Sequence, residues 1–357
     1  MKKETVDLLK RLTSVNGVPG YEDEVSELIR KELPETNISY DKLGSIICAK
    51  RGTSDRPRIM LPGHMDEVGF MVKSITEQGF LKFIPLGGWH IPNLPTQRVI
   101  IKTSKGNIHG IIGSKPPHLL SEEDRKKITD KKDLFIDIAA KDKKDAERIG
   151  VRPGDPIIPD APFIEMANPE YLMAKAWDDR VGCGMFISVI KELAGKKHPN
   201  TVYGVGTVQE EVGIRGAQTA VDVVNPDVAI ICEVGLAQDV PGSMETKEHG
   251  SLGKGPQINL YDRGMIPHLK LRDFVLSVAK SEKIPYQLEM LEGGATDGAA
   301  IHIHAEGVPT IYVGVPTRYI HSHTGIIHKS DYDNSIKLIH SLIMRMDEKT
   351  VKNLQNK

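Results

Sequence analysis

The stretch Arg58-Ile59-Met60-Leu61-Pro62-Gly63-His64-Met65-Asp66-Glu67 limits what this chain can fold into more than any other. A short apolar run stops at Pro-Gly, and a histidine and carboxylates follow at once. In an open α/β sheet, a strand delivers polar side chains this way to a crevice at its carboxyl end. In His64-x-Asp66, the aspartate can hydrogen-bond the imidazole nitrogen that faces away from a metal. Such a partner fixes the tautomer and strengthens the ligand. The plain alternative is a loop histidine beside a solvated aspartate, so the reading depends on how the other strands end.

Three more apolar runs end alike. Val202–Val208 leads to Glu210 and Glu211, Val228–Cys232 to Glu233, and Thr310–Val315 to His321 and His323. One carboxylate after a strand is unremarkable, but four such endings feeding one crevice are hard to assign to surface solvation. Trp177-Asp178-Asp179-Arg180 adds a carboxylate pair at a helix start, where N-capping accounts for one of the two. Imidazoles and carboxylates without thiolates suit zinc, cobalt or manganese. Five ligands and a spare carboxylate suggest two ions about 3.5–4 Å apart. Glu210 and Glu211 are adjacent at a strand end and point in different directions, so one can bind metal while the other serves as a base. Taken alone they also fit an exposed acidic pair.

The order of elements places these endings. Helices are expected at Thr5–Ser14 and Glu22–Leu33, then paired strands at Asn37–Tyr40 and Ser45–Ala49, then the strand ending at Leu61. From 68 to 162 the pattern changes to many short β-like runs punctuated by Gly and Pro, with little helix. This reads as a small β-rich, barrel-like domain inserted into an α/β domain formed by 1–67 and 163–357. Ser121–Asp133 is densely charged and is expected to be an exposed mobile loop. After Tyr171 the α/β pattern returns. Helices are expected at Arg180–Leu193, Gly216–Val224, Pro267–Glu282 and Ala299–Ala305, a strand at Tyr286–Leu291, and one last helix over Asp331–Asn353. His302 and His304 would lie in the short helix as structural residues.

The totals remove some function classes. A chain of 357 residues with 39% hydrophobic and 27% charged residues is an ordinary soluble globular protein of one large or two ordinary domains. A net charge of −1 gives no positive field for nucleic acid. No apolar run is long enough to span a bilayer. The amino terminus leads into an amphipathic helix and not into a secretory signal. Cys48, Cys183 and Cys232 are widely spaced and odd in number, which suggests free thiols serving as small buried hydrophobes in a reducing, cytoplasmic compartment.

Four segments carry a family resemblance: Gly63-His64-Met65-Asp66-Glu67, Trp177-Asp178-Asp179-Arg180-Val181-Gly182, Gln209-Glu210-Glu211-Val212-Gly213 and Arg318-Tyr319-Ile320-His321-Ser322. In this order they resemble the TET-type dinuclear metalloaminopeptidases, a family that includes glutamyl and deblocking aminopeptidases and members once called cellulase M. The resemblance covers nearly the whole chain. It implies a zinc-peptidase-like mixed sheet flanked by helices, and two divalent ions per subunit, zinc or cobalt foremost and manganese also accepted. Asp178 would bridge the ions, with the Asp178–Asp179 peptide cis. His64 and Glu233 would complete one site, and Glu211 and His321 the other. Glu210 would be the general base and Asp66 the partner of His64. Many relatives carry aspartate where this chain has Glu233. His321 is preferred over His323 because it directly follows the Arg-Tyr-Ile run. Gly294, Thr296 and Asp297 would line the substrate site, but Ala295 and Gly298 depart from the commonest form of that loop and leave side-chain preference open. The insert would form dimers that assemble into a hollow dodecamer.

The expected reaction is metal-dependent removal of the first residue from short peptides with a free α-amine. Three rivals stand beside it. One is a dinuclear deacylase or carboxypeptidase on the same fold, and another is a non-catalytic peptide-binding scaffold. The third is a metal-free glycosidase using two facing carboxylates, which ranks low because here the carboxylates come with histidines.

Overall fold

Four strands lie side by side and parallel at the centre of the molecule, in the order Thr201–Thr207, Arg58–His64, Val228–Leu236 and Thr310–Arg318. They are buried along nearly their whole length. Near-continuous apolar runs such as Val228-Ala229-Ile230-Ile231-Cys232 are what a strand covered on both faces requires. Their common direction sends all four carboxyl ends to one edge. The computed structural model describes residues 1–123, 127–243 and 250–355. Among these the large sheet has eleven strands. Asn37–Tyr40 and Ile46–Arg51 extend it antiparallel on one side, and Gly325–His328, Tyr171–Ala174 and Ile164–Glu165 on the other. Gln257–Tyr261 and Gln287–Met290 branch from the Thr310–Arg318 strand.

Helices cover both faces. Leu8, Leu12, Val25 and Ile29 of the first two helices, Lys3–Ser14 and Asp23–Glu32, join Val181, Phe186 and Ile190 of Trp177–Glu192 in the main core. On the other face Ala217, Ala220, Val221 and Val224 of the helix Arg215–Val224 pack with Met60, Val205, Ala229 and Ile231. The Trp177–Glu192 helix presses unusually close to the sheet. A β-carbon on Gly63 would come within 2.7 Å of the Gly182 carbonyl carbon, and one on Gly182 within 2.2 Å of the Cys232 carbonyl oxygen. Two glycines facing each other therefore let the helix start directly over the strand ends. Cys48, Cys183 and Cys232 are buried free thiols, as their spacing suggested.

The strands Gly69–Ile75, Leu81–Leu86, Phe135–Asp137, Gly106–Gly113, Arg98–Thr103 and Pro156–Pro159 close into a separate barrel. Its own core includes Phe70, Leu81, Val99, Ile101, Ile112, Ile136 and Ile157. One helix, Lys143–Ile149, interrupts the β pattern; the Asp142 side chain caps it by accepting from the Asp145 N–H. Part of the charged Ser121–Asp133 stretch falls outside the described residues. Its described part is exposed apart from Thr129 and carries a short 3-10 turn at Lys131–Asp133. No helix of the described residues is long and apolar enough to cross a membrane.

Several boundaries differ from the sequence reading. The His64 strand does not end at Leu61 but continues through Pro62 and Gly63. Its pairing with Val228–Leu236 is confined to Ile59 and Met60, so the missing N–H of Pro62 leaves no bond unmade on that side. The Thr310 strand likewise runs on to Arg318. The short helix after Asp297 is a single turn, Gly298–Ile301, and leaves His302 and His304 beyond it. The last expected helix is two, Lys329–Ile343 and Glu348–Gln355. Met344 and Met346 keep the apolar pattern across the break, which hid it.

Candidate active site

The parallel register decides which side chains meet. Thr207 lies opposite His64, and Glu233 opposite Gly314. From the helix side, Asp178 and Asp179 depart from helical backbone angles within Trp177–Glu192. Asp179 then acts as the true cap: one oxygen accepts the Gly182 N–H at 2.9 Å, and the other accepts the His64 N–H at 3.0 Å. Asp178 is left facing the strand ends across a cis peptide bond.

Asp178 sits between two imidazoles. Its Oδ1 is 3.0 Å from His64 Nε2, and its Oδ2 is 3.2 Å from His321 Nε2. Around His64 Nε2 lie Glu210 Oε2 and Glu233 Oε1, each at 3.9 Å. On the other side Glu211 Oε1 is 3.5 Å from His321 Nε2. His64, Asp178 and Glu211 form one group whose ligand atoms fall within 4.8 Å of one another, and His64, Asp179 and Glu233 form another. Asp179 has both oxygens committed to backbone N–H groups, so it fixes His64 and the helix start.

His64, Asp178, Glu210, Glu211, Glu233 and His321 line a cavity of about 380 Å³ together with Ile214, Val234, Leu236, Leu291 and Ile320. Among the described residues, no lysine or arginine lines it. Burial, followed by Asp179, pushes the Glu233 carboxyl well above its usual range. Burial also raises Glu210, an effect that His64 offsets in part, while Asp297 and Glu211 add to it. Burial and then Asp178 raise Glu211 to about 8. Burial pushes the His64 imidazole down, but Glu233, Asp178, Asp66 and Glu210 outweigh it, and the net shift is upward. Burial opposes ionisation of Asp178 too, yet the bonds to His321 and His64 hold its carboxyl below the ordinary value. Glu211 Oε1 is buried without a hydrogen-bond partner. A crowd of carboxylates with an unmatched buried oxygen, and no lysine or arginine among the described lining residues to balance them, calls for a bound cation. The donor set of imidazole and carboxylate fits divalent zinc, cobalt or manganese.

Asp66 does more than the sequence suggested. His64 Nδ1 lies 3.0 Å from the backbone carbonyl of Asp66 and 3.6 Å from its carboxylate. The carboxylate also accepts the N–H groups of Glu210 and Glu211, at 3.0 Å each. It therefore pins the turn that carries both glutamates. Within the substrate loop, Gly294 and Thr296 line the cavity, but Asp297 does not. Asp297 is buried and accepts the Thr207 hydroxyl at 2.5 Å. Burial brings its carboxyl up to about 6, an effect that His64 and the Thr207 bond offset in part and Asp66 adds to. His323 is turned away from the cluster and packs beside Trp89, with ring centroids 5.4 Å apart.

Sequence reasoning passed over the supports behind the cluster. Arg180 is fully buried and donates to the carbonyls of Met65, Leu12, Val15 and Gly17 and to Glu67. It ties the first helix to the strand end that carries His64. Glu22 accepts the Gln209 N–H at 3.0 Å, just before Glu210. A buried arginine directly after the aspartate pair was the available signal. Backbone strain also marks the place. Of the ten non-glycine residues with positive φ among the described residues, His321 belongs to the cluster and Ala176, Gln209, Ile214 and Tyr319 flank it.

The M42 glutamyl aminopeptidase family matches residues 44–338, and a second family, AMPT, matches residues 3–28. The glutamyl aminopeptidase of Lactococcus lactis subsp. cremoris (strain MG1363) is 34% identical over 99% of this chain and 99% of its own. A TET aminopeptidase crystal structure from the Thaumarchaeota archaeon SCGC AB-539-E09 superposes with a TM-score of 0.96 at 46% identity, covering 99% of both chains. The TET1 peptidase of Pyrococcus horikoshii, which can assemble into a tetrahedron or a large octahedral shell, gives a TM-score of 0.85 at 32% identity, covering 96% of this chain and all of its own. A parallel sheet that gathers imidazoles and carboxylates at one edge, beside a closed barrel, agrees with these likenesses in sequence and in structure: the chain belongs to the M42 family and is an aminopeptidase, a hydrolase of peptide bonds.

Proposed function

We propose that the cluster holds two divalent ions and removes the first residue of short peptides that carry a free α-amine. His64, Asp178 and Glu233 would hold one ion, and His321, Asp178 and Glu211 the other. The observation that carries this reading is Asp178, whose two oxygens each face a different histidine at 3.0 and 3.2 Å. Bound divalent ions supply Lewis-acid polarisation of the scissile carbonyl and lower the pKa of a water. The chain's own residues do the rest. Glu210 takes a proton from the attacking water and delivers it to the leaving amine. Asp66 holds Glu210 and Glu211 in register through their N–H groups. Gly294 and Thr296 border the space for the first residue. A cavity lined by carboxylates, with no lysine or arginine among the described residues that line it, attracts a protonated amine, which favours the aminopeptidase over the carboxypeptidase.

A panel of free and N-acetylated aminoacyl-anilides tests this reading, run with chelator and again after adding zinc or cobalt. Cleavage confined to the free-amine substrates, lost with chelator and regained with metal, is expected. Equal cleavage of the acetylated forms would assign the site to a deacylase instead.

We also read the 68–162 insert as the dimer-forming part of a dodecamer. The Pyrococcus horikoshii likeness, which extends over the barrel, supports this. Light scattering should give a mass near twelve chains, and a monomer mass would refute it. Buried free thiols support a cytoplasmic setting; recovery in a secreted fraction would contradict it.

A further inference from the structure

The cavity that holds the cluster continues into a second one of about 630 Å³, between the barrel and the sheet. Ile320 and His321 line both. Across from them Gly88 lines the first and its neighbour Trp89 the second. When the first residue of a peptide fills the first cavity, the cut bond lies at the cluster. The residues beyond it, about 3.8 Å apart from Cα to Cα, must leave past His321 or through open solvent.

The second cavity has a definite chemistry. The Trp89 ring is stacked on Phe70 at a centroid distance of 4.8 Å, and its Nε1 donates to the Gly69 carbonyl at 3.0 Å. It is a fixed aromatic wall. Tyr319, which is 54% exposed, forms another part of the lining. The side chains of Asn93 and Gln97 make no hydrogen bond among the described residues and border the same space. His323 is only 6% exposed, and its Nε2 has no partner. Among the described residues, no lysine, arginine, aspartate or glutamate lines the cavity.

We infer that this cavity receives the substrate residues that follow the cut bond, and that it selects neutral aromatic or apolar side chains over charged ones. The inference rests on the aminopeptidase reading of the adjoining cluster. Fixed aromatic walls reward another ring or an apolar chain, and a buried charge would find no opposite partner there. The amides of Asn93 and Gln97 are free to bond the peptide backbone.

The test uses tripeptide amides that share one N-terminal residue, chosen from the best anilide, and vary the second: Trp, Asp or Lys followed by Ala. Wild type should cleave the Trp peptide with a kcat/KM roughly tenfold above the Asp and Lys peptides. The double variant Asn93→Asp, Gln97→Glu puts carboxylates at the border. Its Lys-to-Asp ratio of kcat/KM should rise by roughly tenfold. A ratio compares two substrates in one protein, so a general loss of folding does not move it. A ratio that stays within about twofold of wild type would overturn the inference. So would a changed particle mass with unchanged peptide selectivity, since that assigns the cavity to a second copy of the chain. Failure of the aminopeptidase reading shows up separately, as anilides that are not cleaved under any metal.

Discussion

Glu210→Gln is expected to keep its metal and lose activity by roughly 10²–10⁴-fold in kcat. Glutamine fills the same volume and accepts the same placement, because Asp66 holds the backbone of this turn and not the side chain. What it removes is the capacity to take a proton. Glu210 Oε2 is 3.9 Å from His64 Nε2, at the edge of the cluster, where it can reach a water without being needed as a ligand. The measurement is kcat on a free-amine anilide alongside metal content. Full activity in a metal-loaded variant would end the role given to Glu210.

Asp178→Ala should have the widest effect, because one carboxylate faces both histidines. We expect both ions to be lost and cleavage to fall to background. The loss should also be visible in stability. A ligand that binds only the folded state stabilises it by about 2.7 kcal/mol when present at a hundred times its Kd. Chelator should therefore lower the melting temperature of the wild type and leave that of Asp178→Ala unmoved. An equal chelator effect on both proteins would show that the ions bind elsewhere.

The sequence exposed the site more readily than it exposed the supports of the site. Apolar runs such as Val228–Cys232 are legible because a strand covered on both faces needs little else, and the polar residues follow it directly. That the four strands are neighbours was not legible, since adjacency depends on pairings such as Thr207 with His64 between distant segments. Asp66 shows the same limit. Its spacing from His64 suggested a local bond; its carbonyl is the nearer group to the imidazole, and its carboxylate also reaches a different strand end, where it accepts two N–H groups. Asp297 looked like part of a lining loop, yet Thr207 draws it behind the cavity wall. The barrel's short strands could be read one by one. Its closure, through Gly69–Ile75 against Pro156–Pro159, could not. His321 and His323 lie two apart on the same turn, and only the positive φ at Tyr319 and His321 explains why one faces the cluster and the other Trp89.

The most direct test of the central claim is a metal titration. The metal-stripped protein is titrated with zinc or cobalt while cleavage of a free-amine anilide is followed. The account predicts no activity without metal and full activity only as the second equivalent per chain binds, with Asp178→Ala silent throughout. Full cleavage by the metal-stripped protein, or by Asp178→Ala, would contradict it.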